Sequence, residues 1–143
     1  MTNAKHINGL PQLPEDLVAE VHNSISENEN HTSKASYGDV YDWLPANDKI
    51  QEWCTNNISK DIYWGIQVIH SNLPKHKDIG TITKFNYVIT GQQCDTNFYN
   101  DEDELIETVI LEHEQWYILN TNVTHEVTDV NDIRISITGK ITP

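Results

Sequence analysis

The chain has 143 residues, 37% hydrophobic and 22% charged, a size and composition that suit one globular domain whose core needs no disulfide staples. Twenty-two acidic against nine basic residues leave a formal charge of −13, the wrong sign for the phosphate neutralisation that drives nucleic-acid affinity, so nucleic acid is disfavoured as a partner. No apolar run reaches the ~18 residues of a membrane span, MTNAKHINGL lacks a signal-peptide core, and Cys54 and Cys94 stand apart without a CxxC pair, so a soluble, cytoplasmic protein with two reduced thiols is expected.

In chain order, Leu13-Pro14-Glu15-Asp16 opens a predicted helix. Pro14 suits a first turn, the two acids suit the positive end of the helix, and Leu17, Val18, Val21 and Ile25 recur at helical spacing. The helix is expected to fray near Asn28. Residues 26–39 offer little to bury and read as a surface loop. A second short helix is predicted after Pro45, capped by Asn47 or Asp48 and carrying Ile50, Trp53 and Ile58. From residue 61 the texture turns to β. Segments 61–70, 81–90, 107–113, 115–121, 125–130 and 134–141 are rich in β-branched and aromatic residues, and turn-prone pieces such as SNLPK, TGQQCDTN and NDEDE separate them. Strands at short intervals without intervening helices imply an antiparallel sandwich or barrel. The expectation is one domain over 1–143. It is mainly β, a jelly roll (double-stranded β-helix) over 61–141, with two N-terminal helices packed outside as a cover over 1–60.

Several chemistries drop out on inspection. GxGxxG, GxxxxGK[ST] and GxSxG are absent, and neither His113-Glu114 nor His125-Glu126 continues into HExxH. Asp101 to Glu112 lacks the central ligand and the Gly of a calcium loop. What survives is LPKHKDIG, residues 73–80. On a strand, His76 and Asp78 point to one face and can converge on one ion. His125 near the start of a later strand can lie opposite them, and two His with one carboxylate on one face of an octahedron is the donor set of non-haem Fe(II) oxygenases. Arg134 is the sole arginine. Alternation along its strand places Arg134, Ser136 and Thr138 on one side and Ile133, Ile135 and Ile137 on the other, and an inward guanidinium needs an anion such as a dicarboxylate.

The order HxD, then His, then Arg-x-Ser on the last long strand resembles the Fe(II)/2-oxoglutarate-dependent dioxygenases. FNYVITG (85–91), TNFY (96–99), WYILNTNVTHEV (116–127) and RISITGKI (134–141) resemble in particular the small bacterial and phage oxygenases related to aspartyl/asparaginyl and prolyl hydroxylases. The resemblance covers roughly residues 61–141. It implies that His76, Asp78 and His125 hold Fe(II), and that Arg134, assisted by Ser136, binds the distal carboxylate of 2-oxoglutarate. Lys84 is the candidate second contact to the cosubstrate. The implied reaction couples 2-oxoglutarate and O2 to hydroxylation of a second substrate, a peptide side chain or a small molecule, with release of succinate and CO2. Tyr63, Tyr87, Tyr99 and Asn120 are candidates to face the cosubstrate, and His70 to line a pocket. Trp43, Trp53, Trp64 and Trp116 are expected in core or helix-to-sheet packing. Two rivals stand beside this reading: a cupin-like metalloenzyme that uses the triad without 2-oxoglutarate, and a non-catalytic jelly-roll binding or structural module.

Overall fold

The computed structural model describes residues 2–27, 33–34, 40–78, 80, 83–91 and 94–141. Its elements in chain order are β1 (Ala4–His6), α1 (Glu15–Glu27), β2 (Ser33–Lys34), β3 (Tyr41–Pro45), α2 (Asp48–Asn57), β4 (Tyr63–Ile69), β5 (Leu73–His76) and β6 (Thr83–Thr90). Then follow β7 (Asp95–Tyr99), β8 (Leu105–Ile110), β9 (Trp116–Asn120), β10 (Thr124–Thr128) and β11 (Arg134–Ile141). Seven strands form one sheet in the order β1-β9-β6-β11-β4-β3-β2, and four form a second in the order β5-β10-β7-β8. Every pairing between these strands is antiparallel. Among the described residues no helix is long and apolar enough to cross a membrane.

The seven-stranded sheet has two chemically different faces. Its outer face carries Trp64, Ile66, Phe85, Trp116, Ile135 and Ile137, and the helices cover it with Leu17, Val21, Ile50 and Cys54. A large apolar side chain removed from water in this way contributes about 1.5–3 kcal/mol, so this layer is the main core. Both helices start where the sequence places them. The Asn47 side chain caps α2 by accepting from the Ile50 N–H at 3.0 Å, and Glu15 and Asp16 occupy the first turn of α1. The inner face carries Gln67, Lys84, Asn86, Arg134, Ser136 and Thr138, all buried, and looks toward the four-stranded sheet.

The structure also corrects the sequence reading. β1 and β3 escape notice because a short flanking strand takes its conformation from its neighbour: β1 pairs with β9, and β3 with β4. β2 falls inside the expected loop, of which residues 28–32 and 35–39 lie outside the described residues, as do the expected fraying point Asn28 and the first two residues of the predicted strand 81–90. Asp95 and Thr96, expected in a turn, begin β7, where pairing with β8 and β10 on both sides overrides their weak propensity. The strand expected over 107–113 is β8 and begins two residues earlier, at Leu105.

Candidate metal centre

β5 ends the four-stranded sheet at one edge, where Pro74 costs no ladder hydrogen bond. Its register with β10 sets His76 directly opposite His125, with ring centroids 4.3 Å apart. Two residues on, the Asp78 N–H donates to the Thr121 carbonyl at 3.0 Å, which holds the chain leaving β5 against the end of β9. The Asp78 carboxylate thereby faces both rings. Its Oδ1 lies 3.3 Å from His76 Nε2 and 3.6 Å from His125 Nε2, and the three ligand atoms lie within 4.8 Å of one another.

Each ring is held from behind. His76 Nδ1 lies 2.7 Å from the Pro74 carbonyl and His125 Nδ1 2.7 Å from the Val123 carbonyl. A carbonyl only accepts, so both Nδ1 atoms carry hydrogen and each ring presents its Nε2 to Asp78. A metal-ligating histidine characteristically anchors its other N–H on a backbone carbonyl in this way. Metal–ligand bonds of about 2.1 Å place neighbouring donors of an octahedron about 3 Å apart, a few tenths of an ångström inside the two His–Asp separations. Two imidazole nitrogens and a carboxylate converging at this range can hold a cation, and that donor set suits a divalent transition metal. Burial acts to raise the Asp78 pKa. Hydrogen bonds from His125 and His76 and the charge of Lys84 outweigh it and hold the carboxyl well below the usual carboxylate range, so the oxygen stays anionic.

Lys84 and Arg134 give the same cavity its other character. Lys84 on β6 is buried, and its Nζ lies 3.7 Å from Asp78 Oδ2. Arg134 begins β11 and is 4% exposed. Its Nη1 reaches Cys94 Sγ at 4.0 Å, while its Nε makes no hydrogen bond among the described residues. Burial pushes both pKa values down, for Lys84 against the pull of Asp78 and for Arg134 against that of Cys94. The guanidinium stays charged regardless, because its pKa starts above 12. His76, His125, Lys84 and Arg134 all line one cleft between the sheets. Ser136 sits two residues along β11 from Arg134, its Oγ without a hydrogen-bond partner among the described residues.

The alternation expected for β11 is therefore the one observed, and His76, Asp78, His125, Lys84 and Arg134 come together. Other candidates go elsewhere. Tyr87 points to the helical side, where its hydroxyl accepts from the Leu13 N–H. The Tyr99 hydroxyl donates to Glu126, Asn120 donates to Asn3, and Tyr63 is 57% exposed beside Trp43. His70 pairs with Asp42 at 2.8 Å instead of lining the cleft. Trp64 and Trp116 are buried in the core and Trp53 packs against it. Trp43 instead lies on the face opposite the helical core, across Gly65, where an added Cβ would meet its ring at 2.2 Å. Gln67 and Thr96 line the cleft without having been singled out, and Asn86 lies on the same face. Gln67 within YWGIQVI and Asn86 within KFNYVI are lone polar residues in apolar strands, a signal of an inward polar face. Gln67 Oε1, Thr96 Oγ1 and both amide atoms of Asn86 have no hydrogen-bond partner among the described residues, a concentration of unpaired buried polar atoms that marks a ligand or water site.

No family model matches the sequence, and no curated protein matches it. Among solved structures, a prolyl-4-hydroxylase of Pseudomonas putida aligns with a TM-score of 0.63 over 99% of this chain and 93% of that one, at 12% identity. The non-heme alpha-ketoglutarate-dependent epimerase SnoN from nogalamycin biosynthesis aligns with a TM-score of 0.61 over 96% and 77%, at 13% identity. Procruciferin, an 11S globulin from Brassica napus, aligns with a TM-score of 0.53 over 81% of this chain and 28% of that one, at 8% identity. These likenesses show a shared fold of the cupin or jelly-roll type.

Proposed function

We propose that this protein is an Fe(II)- and 2-oxoglutarate-dependent dioxygenase, built on a double-stranded β-helix that occupies residues 61–141 of a single domain and hydroxylating a peptide side chain or a small molecule. The observation that carries the reading is one cleft with a His-Asp-His donor set and, beside it, a buried arginine that no carboxylate among the described residues neutralises. Two buried cations, Lys84 and Arg134, exceed the single negative charge of Asp78, and a divalent ion would add to that excess. A dianion offsets most of it, and a 2-oxo dicarboxylate is a dianion with a chelating end and a carboxylate end.

His76, Asp78 and His125 would hold the iron, which when bound supplies the redox chemistry that activates O2. The remaining work belongs to the chain. The Pro74 and Val123 carbonyls hold the two Nδ1 protons and aim the rings. Arg134 takes the distal carboxylate through paired N–H donors, Ser136 adds a hydroxyl, and Lys84 contributes positive charge at the metal end. Leu73, Leu119 and Val127 line the same cleft and exclude water.

The test is anaerobic loading with Fe(II) followed by 2-oxoglutarate and O2, with succinate as the readout. Succinate should form with Fe(II) and not with Zn(II), which cannot change oxidation state. Tight Fe(II) binding without succinate would select the cupin-like reading without 2-oxoglutarate. Absence of metal binding would select a non-catalytic module.

A further inference from the structure

A carboxylate ligand can bind a metal through one oxygen or through both, and the choice decides how many positions remain open. In this protein the two oxygens of Asp78 have different partners. Oδ1 faces both imidazoles, at 3.3 and 3.6 Å, whereas Oδ2 faces the Lys84 ammonium at 3.7 Å. Lys84 reaches it from the opposite sheet: it lies on β6, opposite Leu119 of β9 and Lys140 of β11, while Asp78 follows β5. It is 8% exposed, and burying an ammonium is costly unless a partner of opposite charge meets it. Asp78 is the carboxylate that does so. The other charges that Lys84 feels, Arg134 and Lys140, are both positive, so Asp78 is the anion it faces.

Resting on the reading of this site as a metal centre, we infer that Lys84 is a positioning residue which, by pairing with Oδ2, keeps Asp78 a one-oxygen ligand and so preserves three open coordination positions. A chelating Asp78 would leave two. With three, a bidentate cosubstrate and O2 can bind together; with two, they compete. Lys84 therefore acts on the metal site before any cosubstrate arrives. A simple anion contact would act only afterwards.

The test uses Mn(II) as a paramagnetic probe, with the whole chain and no 2-oxoglutarate. Inner-sphere water is counted by water-proton relaxation in the unaltered protein and in Lys84→Met, which keeps length and apolar stem and removes the ammonium. The relaxivity of bound Mn(II) should fall by about one third in the variant, as open positions drop from three to two. Unchanged relaxivity with Mn(II) still bound would overturn the inference and return Lys84 to a cosubstrate contact. Should Lys84→Met fail to fold, the infrared carboxylate stretches of the unaltered protein, with 13C-labelled aspartate, decide between the alternatives. The wide splitting of a one-oxygen ligand is expected on adding Mn(II), and the narrow splitting of a chelate would overturn the inference. Failure of the unaltered protein to bind Mn(II) at all would instead overturn the metal reading beneath it.

Discussion

His76 and His125 face each other across the β5–β10 ladder, their ring centroids 4.3 Å apart and their Nε2 atoms turned to the same carboxylate oxygen. The pair exists only because an edge strand and an inner strand of the four-stranded sheet lie in this register. A one-residue slip would send one imidazole to the outer face.

Replacing His76, Asp78 or His125 by Ala should remove metal binding. Loss of an outer hydrogen-bond partner typically costs 10–100-fold in affinity, and loss of one of three ligands should cost more than that. Anaerobic Fe(II) titration measures it. The β-rich circular dichroism should persist, because these side chains line a cleft and the core lies on the far face of the larger sheet. Full metal occupancy in His125→Ala would sink the assignment.

Arg134→Ala should weaken 2-oxoglutarate binding by more than about tenfold while leaving Fe(II) affinity nearly unchanged. Truncating one member of a buried charge pair costs roughly 2–5 kcal/mol, and each ~1.4 kcal/mol is tenfold. Arg134→Lys should fall between, since an ammonium lacks the planar fork that matches a carboxylate. Calorimetric titration of both variants separates the two affinities, and equal cosubstrate affinity in Arg134→Ala would require another anion anchor.

Gly91 sets the start of β11. Its φ is +111°, and an added Cβ would lie 2.7 Å from Arg134 Cα and 2.9 Å from the Ile133 carbonyl oxygen. Both atoms are backbone and cannot swing aside. Gly91→Ala should cost about 2 kcal/mol or more from left-handed strain and overpacking together, which lowers the melting temperature by roughly 3 °C per kcal/mol. Because the clash falls on Arg134, 2-oxoglutarate affinity should drop with it. A variant as stable as the parent in urea would contradict this account.

Cys54 lies fully buried on the core-facing side of α2, and burial pushes its thiol pKa up to about 12. The unfolded value is about 8.5. A raised folded-state pKa for an acid means that the native state favours the neutral thiol. Its contribution is complete below pH ~8.5, declines as pH rises beyond that, and is exhausted near pH 12. Urea unfolding between pH 8 and 10.5 should show a falling midpoint that is shallower in Cys54→Ala. At pH 8 a disulfide reagent should label Cys54 only after unfolding, and rapid labelling of the native protein would show the site to be open.

Much of this protein is legible along the chain because the signals are local. Leu17 and Val21 at helical spacing, Asn47 ahead of Ile50, and the β-branched runs of β4, β6 and β11 each report their own element, whose outer face against the helices supplies most of the core. Period-two alternation places Arg134 and Ser136 on one face and Ile135 and Ile137 on the other without reference to any partner, and His76 and Asp78 share a chain segment too short to part them. Tertiary structure decided what alternation cannot. It sent Tyr87 to the helices and Tyr99 to Glu126, gave β1, β3 and β7 their strand conformation through their neighbours, and set Gln67 and Thr96 around the cleft. It also brought Lys84 from one sheet to Asp78 beside the other. Such contacts depend on strand register and on which sheet each strand joins, and both are settled by the summed pairing of the whole chain rather than by residues near one another in sequence.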